Sequence, residues 1–497
     1  MRNSAAAHVT TRRAALATVL GLCTPGLAAA AKRPVPAALP PMPAALQALA
    51  NRMGLPPESF GLYAQAADLS GRVLASLNAE TLFPLASTAK LVTTLAALDI
   101  LGPHYRWRTF AFLGGPLRQG RLLGDLIIVG GGNVRLSSAD LRQWFGRLRV
   151  QGLSEIWGDI VLDHFAFRLN EADHVNTPEP SPDRPHHMRP DALMLNEGVL
   201  RVSVQGGRGL KPTLVLDPPM PGLRVVTRMN TSGDCVVNVQ PEKSGLSPTL
   251  SVSGSWRAAC GKRELALMPL AHDDYTVRAV EGLWRESGGR LRGRVFDKRA
   301  PDRDDVWPVL PNGEAMTPWS VHLSDPLNSM VRDINKTSDN LAARNLMLSM
   351  AYGFPLKPAT LWGARARVDL WLQGQGLAAG DIEVESGAGL SRGERGKPRA
   401  LAHLLRRAWQ AGSSALFLDS LPVAGVDGTL LHRMTLGPAK GRALLKTGTL
   451  LDARALAGYV KCVSGRIQAV VMLAHHPDAA RTTPALDAMV EWIAVHG

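Results

Sequence analysis

The sequence lacks several features that would assign a protein class at once. Beyond the N-terminal region no stretch reaches the roughly 18 apolar residues that a membrane-spanning helix needs. With 5% aromatic residues there is no basic, aromatic-rich stripe and no helix-turn-helix pattern, so nucleic-acid binding is not expected. No cysteine or carboxylate cluster accompanies the histidine pairs His186-His187 and His475-His476, so neither a metal nor a cofactor is expected.

What the sequence does contain is enough apolar material for a large folded protein. The chain has 497 residues, of which 45% are hydrophobic and 20% charged. This balance excludes global disorder. The length fits two or three domains of ordinary size.

The N-terminal 31 residues have the pattern of an export signal. Arg2, Arg12 and Arg13 precede an apolar run over 14–27, and four alanines at 28–31 follow it. A charged start, a short apolar stretch and small residues at the cleavage site are typical of a signal peptide. We therefore predict a periplasmic protein that is cleaved near Ala30 or Ala31, by either the general or the twin-arginine route.

The chain is strongly basic. Its formal net charge is +14. Removal of the signal peptide takes away three arginines and no acid, which leaves +11. Such a charge predicts a loose electrostatic association with anionic cell wall or membrane surface.

Three cysteines remain in the predicted mature chain. An oxidising compartment favours a disulfide between Cys235 and Cys260, which lie beside two strand-like runs. Cys462 lies in the apolar segment 457–463, which predicts a buried, unpaired thiol in a core strand.

The pattern of helix-like and strand-like segments changes twice along the chain. Residues 60–77 alternate like a hairpin, and 87–101 are helical up to a stop at Gly102-Pro103. From 108 to 315 short strand-like runs alternate with loops rich in proline and glycine. Helical periodicity then returns, and two strands at 453–463 and 466–475 precede a last helix. We predict a discontinuous domain, 32–107 and 316–497, with a β-rich insertion, 108–315, that has room for two subdomains.

Three short motifs carry the chemistry. They are Ser87-Thr-Ala-Lys90 at the start of a helix, Ser338-Asp-Asn340 between two helices, and Lys446-Thr-Gly-Thr449, which is expected to open a strand. Each motif is weak alone, but all three in this order, each in a fitting structural context, favour a common site.

The spacing of the first motif suits nucleophilic catalysis. Ser87 and Lys90 are three residues apart, so a helix places both on one face. A lysine can activate a serine when its pKa is depressed, and burial or a second cation such as Lys446 has that effect. The backbone N–H groups of Ser87 and Thr449 are candidates for an oxyanion hole.

This motif set is shared by β-lactamases and penicillin-binding proteins. The chain resembles the D-alanyl-D-alanine carboxypeptidase/endopeptidase type of low-molecular-mass, class C penicillin-binding protein, which has a large insertion after Ser-x-x-Lys. The likeness covers nearly the whole mature chain and includes Gly130-Gly-Gly132 after a strand and the segment 422–430. It implies an α/β (α+β) penicillin-recognising serine transferase/β-lactamase-like fold, with an antiparallel sheet flanked by helices.

The resemblance also implies what the site residues do. Ser87 is the acylated nucleophile, Lys90 its base, and Ser338 and Asn340 belong to the second catalytic element. The substrate's terminal carboxylate is bound by the third motif: Lys446, Thr447, Gly448 and Thr449. The substrates are peptidoglycan stem peptides with D-Ala-D-Ala termini and D-configured cross-links, and β-lactams acylate the same serine.

The resemblance also bears on which side chains of the peptide substrate the enzyme selects. Arg392 matches a family arginine near the side chain of the peptide's diamino acid. In relatives an acidic residue of the insertion also binds the free amine of the diamino acid, and Asp183 is one candidate for this acid. Where the family's glycine run continues with Asp-Pro, this chain has Asn133-Val134, so that turn is altered.

Two other classes remain open. A β-lactamase would need fast deacylation, but the class A pattern Glu-x-x-Leu-Asn is missing. A non-catalytic peptidoglycan-binding protein would not need all three motifs intact.

Overall fold

The computed structural model describes residues 54–170, 187–206, 211–231, 233–242, 247–298 and 315–497, together with positions 44 and 173. The predicted signal peptide, 1–31, and Asp183 lie outside these ranges. No helix within the described ranges is both long enough and apolar enough to cross a membrane.

A five-stranded antiparallel sheet, the central sheet, joins residues near 60 to residues near 470. The predicted hairpin is present, and its strand Phe60–Ala66 pairs with Ile467–His475. The predicted closing pair is also present, as Ala453–Lys461 beside Ile467–His475. The strands follow one another across the sheet in the order Val73–Leu77, Phe60–Ala66, Ile467–His475, Ala453–Lys461 and Ala443–Thr449.

Helices cover both faces of the central sheet. Along Ala453–Lys461 the side chains alternate, so that Leu456 packs with helix Thr483–His496 and Tyr459 with the core that contains helix Ala89–Ile100. Because both faces are covered, the strand is apolar at nearly every position. The other helices on the Tyr459 side are Leu327–Thr337, Asn340–Ser349, Leu361–Gly374, Pro398–Gln410 and Ser414–Ser420. The predicted fold class is confirmed.

The helix Ala89–Ile100 lies in the middle of this core. Ten of its 12 residues are buried, which explains why it has no polar face exposed to solvent. Leu101 caps the helix, and Gly102 follows with a φ of +83°, as the predicted Gly-Pro stop requires. The residues just before the helix are thereby held in a rigid setting.

The region predicted as a β-rich insertion has its own five-stranded sheet. Its strand Arg108–Leu113 pairs with Leu126–Val129 on one side and with Ser320–Leu323 on the other. The chain therefore leaves this sheet after Leu323, beyond the predicted boundary at 315. The strand order is Val295–Lys298, Ile160–Asp163, Leu126–Val129, Arg108–Leu113, Ser320–Leu323.

Two helices, not expected from the sequence, complete this region. Ser138–Val150 and His272–Glu286 pack together through Phe145 and Trp284, in a core separate from those of the central sheet. The short strands form a small mixed sheet: Arg290–Leu291, Glu155–Ile156, Arg121–Leu122 and Leu117–Arg118. Two three-stranded sheets share the same core: Thr213–Asp217, Leu200–Gln205 and Lys262–Leu267 in one, Arg224–Asn230, Thr249–Ser255 and Val236–Glu242 in the other.

The cysteines lie as predicted. The sulfur atoms of Cys235 and Cys260 are 2.03 Å apart, within bonding distance. Cys235 immediately precedes strand Val236–Glu242, and Cys260 lies just before Lys262–Leu267, so the disulfide links the two three-stranded sheets. Cys462 is a buried free thiol.

Candidate active site

The first motif lies where a short 3-10 turn, Ala86–Thr88, leads into helix Ala89–Ile100. Ser87 is partly exposed in that turn, whereas Lys90 is fully buried one turn later. The Nζ atom of Lys90 lies 3.0 Å from the Oγ atom of Ser87. The expected pairing of the two side chains on one face is present in this geometry.

Lys90 has three hydrogen-bond partners. Besides Ser87, its Nζ contacts Asn340 Oδ1 at 2.7 Å and the carbonyl oxygen of Ala388 at 2.5 Å. A neutral amine would donate to the last two and accept the proton of the serine hydroxyl. Burial lowers the pKa of Lys90 to about 7, although the charges of Glu394 and Asp339 oppose this shift. A large fraction of Lys90 is therefore neutral at pH 7.

The third motif brings a second buried lysine to the site. Lys446 Nζ donates to Ser338 Oγ and to the carbonyl oxygen of Thr447, both at 2.9 Å. Burial, and then the charge of Lys90, hold the pKa of Lys446 well below its ordinary value. For Lys90 the main cause is burial, one of the two causes expected from the sequence, and Lys446 does not contribute to the shift. The prediction that this motif opens a strand is wrong, because the strand Ala443–Thr449 begins three residues before Lys446.

The second motif connects two helices, as predicted. Ser338 follows Leu327–Thr337 with a left-handed φ of 63°, a conformation that costs roughly 1–3 kcal/mol for a non-glycine residue. Asp339 then caps helix Asn340–Ser349 by accepting the N–H of Ala342 at 2.9 Å. The turn places Ser338 on Lys446 and Asn340 on Lys90, so this motif links the other two.

The end of the third motif packs against the turn that holds Ser87. A Cβ atom added to Gly448 would lie 3.0 Å from the Cβ of Ala86, so a larger residue would push the two segments apart. Thr447 Oγ1 contacts Thr429 Oγ1 at 2.8 Å, and Thr449 is exposed at the strand end. This close approach brings the backbone of the strand next to that of Ser87.

The loop that carries Arg392 also supports Lys90, through residues that sequence reasoning did not assign to the site. The carboxylate of Glu394 is fully buried and accepts the backbone N–H groups of Gly387 at 2.7 Å and Ser386 at 3.1 Å. It thereby shapes the loop whose Ala388 carbonyl contacts Lys90. Gly389 has a φ of +79°, and a Cβ there would overlap the carbonyl oxygen of Ala86. No sequence signal distinguishes Glu394 from other charged loop residues.

Arg392 lies on the same loop but has no hydrogen bond or ion pair to the three motifs in the described contacts. Its side chain is half exposed and forms an ion pair with Asp452, with Nη2 to Oδ1 at 2.9 Å. Asp452 is in the turn that follows the strand of the third motif. Arg392 is therefore near the end of that strand.

The fold and this arrangement define a serine acyl-transfer enzyme of the penicillin-recognising type. The sequence profile of the D-Ala-D-Ala carboxypeptidase 3 (S13) family matches residues 43–496, and the chain belongs to that family. The enzyme class expected from the sequence, a serine D-Ala-D-Ala carboxypeptidase, is thereby confirmed.

Two curated relatives are similar over most of the chain. D-alanyl-D-alanine carboxypeptidase DacB of Haemophilus influenzae is 24% identical, over 80% of this chain and 82% of its own length. The D-alanyl-D-alanine carboxypeptidase of Actinomadura sp. is 28% identical, over 78% of this chain and 72% of its own.

Solved structures establish the same fold. Penicillin binding protein 4 (dacB) from Haemophilus influenzae covers 90% of this chain and 99% of its own, with a TM-score of 0.70 and 21% identity. Another structure of that protein is a complex with a β-lactam. A predatory endopeptidase from Bdellovibrio bacteriovorus, bound to an immunity protein, covers 87% of this chain and 92% of its own, with a TM-score of 0.51 and 16% identity.

A base with a pKa of about 7 predicts a definite pH dependence of acylation. The rate constant for acylation by a penicillin should rise with pH and reach half of its plateau near pH 7, because only neutral Lys90 can accept the serine proton. At pH 6 it should be about fivefold lower than at pH 7. Stopped-flow or quenched labelling with a fluorescent penicillin measures this constant.

The matched variant for this test is Lys90→Arg, which keeps the positive charge but cannot lose its proton in this range. It should show no measurable acylation at any pH below 9. A wild-type rate that is independent of pH from about 6 to 10 would contradict Lys90 as a titrating base.

Proposed function

We propose that this enzyme hydrolyses peptides ending in D-Ala-D-Ala through an acyl-enzyme on Ser87, with Lys90 as the base. The observation that carries the proposal is the contact of the buried Lys90 Nζ with Ser87 Oγ at 3.0 Å and with Asn340 Oδ1 at 2.7 Å. A serine hydroxyl becomes a useful nucleophile when a neutral base lies within hydrogen-bond reach.

In the acylation step, Ser87 Oγ attacks the carbonyl carbon of the penultimate D-alanine while Lys90 takes the hydroxyl proton. The negative oxygen that develops is stabilised by the backbone N–H groups of Ser87 and Thr449. The close packing of Gly448 on Ala86 supports this pair of donors. The C–N bond then breaks, and the departing amine of the terminal D-alanine takes up a proton that passes from Lys446 through Ser338. Lys446 is protonated again as Lys90 gives up the proton that it took from the serine, so Lys90 is neutral before deacylation begins.

In the deacylation step, water attacks the ester carbonyl of the acylated Ser87. Lys90 accepts a proton from this water and returns a proton to Oγ as the ester bond breaks. The peptide is released one residue shorter, and the site returns to its starting protonation state.

The third motif binds the terminal carboxylate of the peptide. Lys446, Thr447 and the strand end at Gly448 and Thr449 supply the donors. In the empty site burial lowers the pKa of Lys446, whereas a bound carboxylate favours its charged form. Substrate binding therefore supplies the charge that stabilises the lysine as an ammonium group.

The substrate class is peptidoglycan stem peptides in the periplasm, which the enzyme reaches through a cleaved signal peptide at 1–31. Cross-links with D-configured donors present a similar carbonyl, so endopeptidase action follows from the same site. Arg392, half exposed and held by Asp452, contacts the side chain of the diamino acid. β-Lactams acylate Ser87 because their strained amide resembles the scissile bond.

Residues 32–107 and those after Leu323 form the catalytic domain, and the residues between them form the insertion. The insertion forms one side of the active-site cleft or binds the peptidoglycan polymer, and its disulfide stiffens this part of the structure. The net charge of +11 predicted for the mature chain attaches the enzyme loosely to anionic wall or membrane surface.

The nucleophile assignment predicts one covalent adduct. Incubation of the mature enzyme with benzylpenicillin should add one acyl group, and peptide mapping by mass spectrometry should locate it on Ser87. Ser87→Ala should remove the adduct. Ser137→Ala, a cap of an insertion helix, should leave it in place.

The lifetime of that adduct separates the alternatives. Persistence for minutes or longer is expected for a peptidase. Turnover within seconds would indicate a β-lactamase, and no adduct, or one at another residue, would contradict the proposed nucleophile and leave peptidoglycan binding as the function.

The proposed role of the insertion predicts a difference between two substrates. Reduction of the Cys235–Cys260 disulfide should slow cleavage of intact sacculi more than release of D-alanine from a short soluble peptide. Cosedimentation with sacculi should weaken as salt rises from roughly 50 to 500 mM, because exposed charges are screened. Equal losses of rate on both substrates would mean that the insertion only supports the fold. Binding to sacculi that does not change with salt would contradict the proposed electrostatic attachment.

A further inference from the structure

One arginine connects the insertion to the second motif. Arg135 follows the altered turn at Asn133-Val134, and its Nη2 atom contacts Asp339 Oδ2 at 2.5 Å. Its Nη1 atom contacts Glu197 Oε1 at the same distance. Glu197 also belongs to the insertion, so Arg135 is held by its own region on one side and reaches the second motif on the other.

The contact fixes a residue that lies between two site side chains. Asp339 separates Ser338 from Asn340, and its other carboxylate oxygen caps the helix at the N–H of Ala342. Both oxygens are therefore committed, one to the helix and one to Arg135. Since Asp339 sets the backbone between Ser338 and Asn340, a shift of its carboxylate would move one or both of them.

The loop that carries Arg135 is anchored to the same helix. The Nδ2 atom of Asn345 donates to the carbonyl oxygen of Gly132 at 3.2 Å and to that of Asp191 at 3.0 Å. The backbone N–H of Arg135 donates to Asn133 Oδ1 at 3.0 Å. The backbone at Arg135 is thus held by hydrogen bonds rather than lying in a free loop.

Arg135 pairs with one of the two acids that act on Lys90. The acids that raise the pKa of Lys90 are Glu394 and Asp339. Burial, and then the charge of Lys90, lower the pKa of Lys446. Each of the two acids also interacts with a cation: Glu394 with Arg344, and Asp339 with Arg135.

We propose that Arg135 is a positioning residue through which the insertion holds the second motif in place and offsets the charge of Asp339 beside Lys90. This inference rests on the proposed function, because it assigns Lys90 the role of base. It goes beyond that function by giving the insertion a part in positioning the residues of acyl transfer. The turn in which this chain has Asn-Val for Asp-Pro is the turn that delivers the arginine.

The test compares the pH dependence of penicillin acylation in Arg135→Gln and Arg135→Lys with that of the wild type. Arg135→Gln should move the half-plateau point upward by roughly half a unit to one unit, because Asp339 is left uncompensated, as are Glu197 and Asp333, which also pair with Arg135. The rate at pH 7 should then fall about two- to fivefold. Arg135→Lys should keep the wild-type pH dependence, since the charge remains, but lower the plateau, since one ammonium group cannot hold both carboxylates in the same geometry.

A second substitution separates charge from general damage. In the Arg135→Gln background, Asp339→Asn removes the uncompensated charge while still capping the helix, and should bring the half-plateau point back towards wild type. Asp339→Asn alone should move that point below the wild-type value, which keeps the test available if Arg135→Gln folds poorly. Arg142→Gln is the matched control, because it removes an arginine that pairs with Asp217 and Glu286 inside the insertion.

The outcomes distinguish this inference from the function on which it rests. If the wild-type enzyme forms no adduct on Ser87, the proposed function fails. Suppose instead that the wild type is acylated, and that Arg135→Gln keeps the wild-type pH dependence and plateau or loses no more of the acylation rate than Arg142→Gln does. Only the role of Arg135 is then overturned. A uniform loss in Arg135→Gln without a shift in pH dependence would overturn the charge effect.

Discussion

Two lysine side chains are fully buried, Lys90 beside Ser87 and Lys446 beside Ser338, and the site is organised around the cost of that burial. A buried ammonium group is stable only when acceptors or opposite charge surround it. The acceptors come from separate parts of the chain: Asn340 and Ser338 from one helix junction, Ala388 from a loop, and Thr447 from an edge strand. Each acceptor fixes a different segment, so the same contacts that keep the lysines inside also assemble the site. Because desolvation lowers the pKa of both groups, the base is available near neutral pH.

The surrounding fold makes this burial possible. The helix that carries Lys90 is enclosed by the central sheet and by further helices, so this helix has no solvent-exposed side through which water could reach the lysine. The strand that carries Lys446 is an edge of that sheet, which leaves its last residues free to meet a peptide. The insertion begins and ends next to this assembly and contacts helix Asn340–Ser349 through Arg135, Gly132 and Asp191. A segment of this kind does more than extend the surface, because it reaches Asp339 inside the second motif.

The sequence predicts the parts of this protein that rest on local patterns. Strand Ala453–Lys461 is apolar on both faces because both faces are covered, and the three motifs have recognisable spacing. Helix Ser138–Val150 was missed, although Ser137 and Asp140 form a capping box and Leu141, Trp144, Phe145 and Leu148 have helical spacing. Glu394 and Arg135 could not be found in this way, since each is a single charged residue whose role depends on partners far along the chain. The contact between Arg135 and Asp339 spans 204 residues, and no local pattern encodes such a pairing.

The account depends most directly on the ionisation of one side chain. The enzyme can be prepared with ¹³C-labelled lysine, and the signal of Lys90 assigned by its loss in Lys90→Arg. The Cε chemical shift, followed from pH 5 to pH 11 without ligand, reports the protonation of that amine. Burial next to Ser87 predicts a transition near pH 7. A transition near 10.5, the ordinary value for a lysine, would contradict the claim that burial makes Lys90 a base for the serine.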